Sequence, residues 1–213
     1  MIQLTRRGLV ADDPAAVADL ARTFERVNCV KVVQFLEPAL LTWLAAAVDR
    51  ARFVPRVHDI EPPATDLRLD DHDIRSTLLL LFNDASLFAF IRRLTGCAPI
   101  GCFVGSVYRM KAELGHGDSW HDDIYNGRMV ALSLNLSPDG YRGGLLQIRE
   151  IASEKVLHEV ANTGFGDAII FRLSSEIEHR ITAVEPGPAK TAYAGWFKSH
   201  PSRATFLVPP QPL

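Results

Sequence analysis

The spacing of hydrophobic residues changes near the middle of the chain. Before residue 98, apolar residues recur every three or four positions in long segments, which is the spacing of amphipathic helices. Asp12-Asp13-Pro14 and Glu37-Pro38 precede two of these segments, and Gly96 follows the last, as expected of helix ends. We predict a mainly helical first part with one short strand at "CVKVVQF". The acidic, proline-containing segment 56–73 is interpreted as an exposed loop that could act as a lid.

From about Pro99 the pattern becomes one of short strands. Runs rich in β-branched and aromatic residues follow one another, with Gly, Pro, Asn or Asp at most of the joins. So many short strands predict a β-sandwich or jelly roll. A chain of 213 residues is long enough for one sizeable core. We expect a single domain over 1–213, with 1–98 as mainly helical support and 99–200 as the β core.

Two His-x-Asp pairs lie within eight residues, and each could direct two ligands at one metal ion. The pair His121 and Asp123 precedes Asn126-Gly127, a strong two-residue hairpin signal. A hairpin there would pair His121 with Leu132 and Asp123 with Val130, so that both ligands face the apolar interior. The pair His116 and Asp118 has no such support and is interpreted as part of a loop. A His-x-Asp pair alone is weak evidence, because the spacing is common by chance.

A third ligand must come from a distant strand. His179 stands at the head of "HRITAV", a predicted strand of the same barrel, whereas the other histidines lie in loops or lack a nearby carboxylate. Two histidines and one carboxylate with open positions suit non-haem Fe(II) and oxygen chemistry.

The amino-acid composition limits the kinds of binding partner that this chain is expected to have. The formal charge of −2 is spread over both signs without a basic stripe, so we expect no nucleic-acid partner. Three cysteines without metal-type spacing are interpreted as reduced thiols. The N-terminus has no apolar run long enough for a signal peptide or a membrane span, so a cytoplasmic location is expected and no membrane partner. The sequence leaves the oligomeric state open.

Four motifs carry a resemblance to a known family. The run "HRITAVEPGPAKTAYAGWF", residues 179–197, resembles the C-terminal motif of the Fe(II)- and 2-oxoglutarate-dependent dioxygenases, especially the prolyl-4-hydroxylase-like branch. "WHDDIYNGRMVALSLNLS" is similar to that family's His-x-Asp segment, "GYRGGLLQI" to its Gly-Gly hairpin and "GFGDAIIF" to the strand before the distal histidine. The resemblance covers roughly residues 100 to 198. The N-terminal helices match the family only in kind, as helices that buttress a barrel.

This resemblance implies an α+β fold with a double-stranded β-helix core, of the jelly-roll, cupin-like kind. It implies Fe(II) held by His121, Asp123 and His179, with 2-oxoglutarate and O2 as cosubstrates. Lys190 would bind the distal carboxylate of 2-oxoglutarate, and Tyr108 would reach the same cosubstrate. Relatives that halogenate lack the carboxylate ligand, so hydroxylation is expected here. No catalytic residue beyond the metal site is implied.

Strand alternation supports an inward-facing Lys190, which shares a face with Ala192, Ala194 and Trp196. A buried ammonium needs an anion. Arg180 is the competing basic residue, although it faces away from His179 by alternation.

Further candidates for a substrate pocket are His116, Trp120, Tyr125 and Trp196. The segments 56–73 and 115–118 are candidate lids.

The leading hypothesis is a dioxygenase that hydroxylates a C–H bond of a small-molecule or peptidyl substrate and converts 2-oxoglutarate to succinate. The alternative is a cupin-like metal-binding protein, such as a sensor or isomerase, without oxygenase activity. A structural β-domain with incidental histidines is a third possibility. The sequence does not choose the substrate.

Overall fold

Four α-helices lie in the first half of the chain. The computed structural model describes residues 1–57 and 65–201. Helix α1 begins where the Asp13 carboxylate accepts hydrogen bonds from the backbone N–H groups of Ala15 and Ala16, and α4 ends at Gly96 in the left-handed conformation. Both ends agree with the sequence prediction. The helices are α1 (Pro14–Val27), α2 (Pro38–Arg50), α3 (His72–Phe82) and α4 (Ala85–Thr95).

Twelve strands are present in the described residues. Five precede residue 98: β1 (Ile2–Thr5), β2 (Gly8–Ala11), β3 (Cys29–Val32), β4 (Phe53–Val57) and β5 (Thr65–Leu69). Seven follow it: β6 (Cys102–Met110), β7 (Arg128–Asn135), β8 (Leu146–Glu150), β9 (Val156–Val160), β10 (Ala168–Arg172), β11 (Ile177–Ile181) and β12 (Lys190–Lys198). Two short 3-10 helices lie between β6 and β7, at Ala112–Leu114 and Tyr125–Gly127.

The strands form two facing antiparallel sheets and a separate hairpin. The major sheet has the order β3-β10-β7-β12-β6-β5-β4, and the minor sheet has the order β11-β8-β9. Strands β1 and β2 form the separate hairpin, and Leu4 of β1 also makes an isolated parallel bridge to Leu36. Side chains of both sheets line a common cavity, which is the arrangement of a double-stranded β-helix. The predicted fold class is therefore what the structure adopts.

The largest apolar cluster joins the helices to the outer face of the major sheet. Phe24 of α1, Phe82 of α3 and Phe197 of β12 are fully buried within it. Tyr193 of β12 contacts the Phe82 ring edge-on, with ring centroids 4.8 Å apart. The helices thus cover one face of the major sheet and leave the other free to line the cavity.

The predicted helical support is wrong in one respect, because the first 98 residues also contribute three strands to the major sheet. Strands β4 and β5 and the start of α3 occupy the described ends of the segment predicted as a loop at 56–73, and its centre lies outside the described residues. The sequence "TDLRL" conceals a strand because its inward positions, Asp66 and Arg68, are charged.

Among the helices described, none is long and apolar enough to span a membrane alone, although α3 and α4, which meet at a 60° bend, satisfy that test together.

Candidate metal centre

His121 and His179 lie side by side across an isolated antiparallel bridge. Each backbone N–H donates to the other's carbonyl oxygen, at 3.0 Å from His121 and 2.8 Å from His179. The Nδ1 atom of His121 lies 2.8 Å from the carbonyl oxygen of Ser119, which can only accept, so this nitrogen carries the proton. The Nε2 atom is thereby left to act as a ligand. The two imidazole rings are 4.3 Å apart between centroids.

Asp123 supplies the carboxylate of the cluster. Its backbone is in the left-handed region, with φ of 59°, a conformation that Asp tolerates better than most residues. Arg128 donates to Oδ1 at 2.6 Å, and the Trp196 indole N–H donates to Oδ2 at 2.9 Å. The Arg128 guanidinium also lies 3.5 Å from the centroid of the Trp196 ring. The carboxylate is therefore held from two sides.

The three side chains bring three donor atoms together. Oδ2 of Asp123 lies 3.5 Å from Nε2 of His121 and 3.7 Å from Nε2 of His179. All three atoms are within 4.8 Å of one another, so one ion can contact all of them. Two imidazoles and one carboxylate are the donor set of the non-haem Fe(II) facial triad. The residues fit an iron ion by donor chemistry and by spacing.

The two histidines of the cluster have different pKa values because their surroundings differ. Burial lowers the pKa of His121, but the hydrogen bond to Asp123 and the charges of Asp118 and Asp123 outweigh it and raise that pKa to about 9. Burial and the positive charge of His121 lower the pKa of His179 to about 3. Burial would raise the pKa of Asp123, but the neighbouring imidazoles and Arg128 keep it below its ordinary value. Without metal, the site therefore holds one carboxylate and at most one charged imidazole.

The backbone that carries His121 and Asp123 does not form the predicted hairpin. Tyr125–Gly127 forms a 3-10 turn, and β7 pairs with β10 and β12 rather than with the segment before the turn. The prediction that His121 pairs with Leu132 and Asp123 with Val130 is wrong, because the bridge to His179 on the minor sheet takes up the backbone of His121. Both side chains nevertheless line the cavity.

A cavity of about 340 Å³ opens beside the cluster, between the two sheets. Tyr108 of β6 and Lys190 of β12 line it with all three residues of the cluster, and so do Tyr125 and Trp196. Arg180 does not, because its Nε donates to Gln147 and its guanidinium lies 4.5 Å from the centre of the Trp120 ring.

Lys190 is a buried basic side chain, only 3% exposed, at the wall of this cavity. Its Nζ donates to the carbonyl oxygen of Gly144 at 2.5 Å. Gly144 has a φ of 58°, and a Cβ there would lie 2.9 Å from Cδ of Lys190, so the close approach favours glycine. Burial lowers the pKa of Lys190 to about 7 against the opposing charge of Asp118. An anion in the cavity would restore the charged form.

Two of the predicted pocket residues lie elsewhere. His116 is buried outside the cavity lining, and its Nδ1 accepts from the backbone N–H of Lys111 at 3.2 Å. Trp120 is also outside it, and its ring contacts the guanidinium groups of Arg149 and Arg180, 4.4 and 4.5 Å from the ring centre. Both side chains therefore pack against the protein itself, outside the lining of the described cavity.

Two features of the site escape sequence reasoning. Arg128, which orients Asp123, follows a turn and has no motif of its own. Asp118 lines the cavity 3.8 Å from Nε2 of His121, although the sequence interpretation gave it no fixed place. Its backbone N–H donates to the carbonyl oxygen of Ile181 at 2.8 Å, a contact between distant segments that no local pattern reveals.

The residues that form the cluster lie in a region similar to a known family. A sequence profile described as the 2OG-Fe(II) oxygenase superfamily matches residues 105–198, which include all three residues of the cluster and Lys190. This part of the chain therefore resembles the 2OG-Fe(II) oxygenase superfamily. No curated protein matches the sequence.

Solved 2OG-Fe(II) oxygenases and related enzymes share the fold. An oxidoreductase of the 2OG-Fe(II) oxygenase family from Burkholderia pseudomallei superposes with a TM-score of 0.67 at 15% identity, over 94% of this chain and 97% of that one. A Trichoplax adhaerens prolyl hydroxylase, in complex with a peptide fragment of hypoxia inducible factor, gives 0.66 at 15%, over 87% and 90%. The alpha-ketoglutarate-dependent epimerase SnoN of nogalamycin biosynthesis gives 0.65 at 14%, over 94% and 92%.

The family implies Fe(II), 2-oxoglutarate and O2 as cofactor and cosubstrates, and the His-Asp-His cluster is present to hold the metal. The predicted resemblance to this superfamily is thereby confirmed, with a fold like that of a prolyl hydroxylase.

Proposed function

We propose that the protein is an Fe(II)- and 2-oxoglutarate-dependent dioxygenase that hydroxylates a C–H bond of a small-molecule or peptidyl substrate. His121, Asp123 and His179 hold the iron in this proposal, and Lys190 binds the distal carboxylate of 2-oxoglutarate with Tyr108 beside it. The observation that carries it is the buried ammonium of Lys190 in the same cavity as the cluster. A dicarboxylate cosubstrate would supply the anion that a buried ammonium group needs.

The bound iron and 2-oxoglutarate would supply the chemistry, in which O2 oxidises 2-oxoglutarate to succinate and CO2 and leaves one oxygen atom as a hydroxyl group on the substrate. The residues of the chain position and shield this reaction. Asp123 is kept ionised by Arg128 and by its neighbours. His179 is kept neutral by burial, with the Phe171 ring packed 4.8 Å from it, and a neutral imidazole is the form that binds metal.

Lys190 supports 2-oxoglutarate binding through its burial. A dicarboxylate beside it would form a charge-assisted hydrogen bond away from bulk water, where such a bond is strong. Tyr108 stays neutral because burial raises its pKa to about 12, so its hydroxyl can donate to an anion. The apolar lining from Leu146 and Ile169 excludes water from the same space.

Anaerobic addition of Fe(II) and 2-oxoglutarate tests the proposal. A visible metal-to-ligand charge-transfer band should appear in the wild type and be lost in His121→Ala. His72→Ala is the matched control, because its side chain is exposed at the start of α3, and it should keep the band. Lys190→Met should weaken 2-oxoglutarate binding about 10- to 100-fold, the effect of losing a hydrogen bond to a charged group. Arg180→Met should not change it.

A band that survives His121→Ala, or that fails to form in the wild type, would refute the iron assignment. Hydroxylation itself requires a further measurement, which is substrate-stimulated succinate formation with incorporation of one oxygen atom from O2 into the product.

A further inference from the structure

Three charged side chains line the edge of the cavity formed by β4 and β5. They are Arg56, Asp66 and Arg68. Asp66 lies opposite Arg56 across the β4-β5 pair, and Arg68 lies opposite Tyr108 across the β5-β6 pair. Residues opposite one another share a face of a sheet, as do residues two apart on one strand. The register therefore directs all three toward the cavity.

Among the described residues of this edge, basic side chains outnumber acidic ones. Arg68 donates through Nε to both carboxylate oxygens of Asp66, at 3.2 and 3.1 Å. That bond engages the inner nitrogen of the guanidinium, so the terminal Nη groups remain available to a ligand. The Arg68 side chain is 18% exposed and that of Asp66 is 6% exposed. Arg56 adds a second guanidinium near the same carboxylate, and burial together with its charge lowers the pKa of Arg68.

The described lining of the cavity has the same excess of positive charge. Among its described lining residues, Arg56, Arg68, Arg128 and Lys190 are basic, whereas only Asp66, Asp118 and Asp123 are acidic. A divalent iron and a 2-oxoglutarate dianion would cancel each other, so the excess of one positive charge would persist in the loaded protein. A substrate with one negative charge would neutralise it.

This positive edge is distinct from the cosubstrate end. Strand β5 is separated from β12, which carries Lys190, by β6, so the two strands lie about 10 Å apart at the usual strand spacing. Tyr108 of β6 lies between them in the sheet, opposite Arg68 on one side and opposite Ala192 of β12 on the other. The cavity of about 340 Å³ is at the small end of ligand pockets, which suits a small molecule beside the cosubstrate.

We propose that Arg68 and Arg56 bind the carboxylate of a small organic acid, which is the substrate whose C–H bond is oxidised at the metal cluster. The planar guanidinium of Arg68 presents its two Nη groups to a carboxylate in bidentate geometry, and Arg56 adds a second donor from the neighbouring strand. This inference rests on the proposed oxygenase function and specifies its substrate class.

The test compares acids with their uncharged amides. The protein is first loaded anaerobically with Fe(II) and saturating 2-oxoglutarate, and the charge-transfer band is recorded. Free L-amino acids and short aliphatic monocarboxylic acids are then titrated calorimetrically, each beside its primary amide. At least one acid should bind, at least about tenfold more tightly than its amide, and should stimulate succinate formation. If the band is absent, the proposed function fails before the substrate is tested.

Variants separate this edge from the cosubstrate end. Arg68→Gln and the exposed Arg56→Gln should each weaken binding of that acid about 10- to 100-fold and leave the affinity for 2-oxoglutarate unchanged. Arg56→Gln keeps the test valid if Arg68→Gln fails to fold. The control is Arg52→Gln, an exposed arginine paired with Asp70 outside the cavity lining, which should bind the acid normally.

Four outcomes in a sample that forms the band would overturn the inference. They are binding of amides as tight as that of acids, no binding by any acid, normal acid binding in both arginine variants, and lower affinity for 2-oxoglutarate in Arg68→Gln. Turnover of peptides only, with no small acid accepted, would also overturn it.

Discussion

The two His-x-Asp pairs share one spacing but differ in what holds them. In the second pair, the backbone of His121 is bridged to His179, and the carboxylate of Asp123 is bound by Arg128 and Trp196. In the first pair, His116 turns into the protein and accepts a hydrogen bond from the Lys111 backbone. The Asp118 side chain instead reaches the cavity.

This difference shows that the His-x-Asp spacing identifies only candidate ligands, and that contacts with distant segments determine which of them can bind a metal. A His-x-Asp segment forms a metal site when a remote strand fixes the imidazole and separate donors fix the carboxylate. Asp118 is close to His121, but its histidine partner points away from the cluster, so the first pair cannot act as a unit.

Substituting the carboxylate of the second pair should have the largest effect on iron binding. Asp123→Ala removes one of three metal ligands and leaves Arg128 without its partner, so we expect iron binding and iron-dependent turnover to be abolished. Asp118→Asn keeps the size of the side chain and should retain stoichiometric iron. Iron content after anaerobic reconstitution measures both. Iron retained in Asp123→Ala but lost in Asp118→Asn would assign the carboxylate ligand to the first pair.

Removing a hydrogen-bond donor to Asp123 should have the next largest effect on iron binding. Trp196→Phe keeps an aromatic ring beneath Arg128 but removes the N–H that binds Oδ2. Loss of a residue that orients a metal ligand typically lowers metal affinity about 10- to 100-fold, and we expect that range in a competitive chelator titration. Trp43→Phe, on the exposed side of α2, is the control. Equal iron affinity in both variants would mean that Arg128 alone is sufficient to hold the carboxylate.

Sequence reasoning recovers the parts of the molecule that local pattern encodes. The strands from β6 to β12 largely coincide with short runs rich in β-branched and aromatic residues, and Asp13 and Gly96 mark helix ends, so these elements were predictable. The inward position of Lys190 followed from simple strand alternation, and the structure places it in the cavity.

The remainder depends on contacts between distant segments. The path of residues 115–127 is set by backbone hydrogen bonds from Asp118 to Ile181 and from His121 to His179. A predicted hairpin at Asn126-Gly127 gave the right face for the wrong reason. The charged inner face of β5 concealed a strand, because inward-facing Asp66 and Arg68 pair with each other instead of contributing to an apolar pattern.

Lys190, at the cosubstrate end of the cavity, should make the stability of the protein depend on pH. Its pKa is about 7 in the native protein because of burial, whereas an unfolded lysine has a pKa of about 10.4. Between these values the unfolded state holds the extra proton, so this residue makes the ligand-free protein more stable as the pH rises through that window, by at most about 1.4 kcal/mol per pH unit.

Urea unfolding at about pH 8 and about pH 9.5 measures this effect as the difference between wild type and Lys190→Met, since other titrating groups largely cancel. The difference should shrink when 2-oxoglutarate is bound, because the anion favours the charged lysine and draws a proton from solution. Equal pH dependence in both proteins would mean that Lys190 stays charged in the ligand-free state and has an anionic partner already.

His116 should give the smallest effect on chemistry and a measurable effect on stability. Its side chain is buried at 4% exposure, so His116→Ala leaves a void and an unpaired backbone N–H at Lys111. Such a loss costs about 1 to 3 kcal/mol of unfolding free energy. Because the ring is outside the cavity lining, iron stoichiometry should be unchanged. A buried histidine with only a structural role should affect folding and not iron binding. Loss of iron in His116→Ala with retention in His121→Ala would therefore reverse the roles of the two pairs.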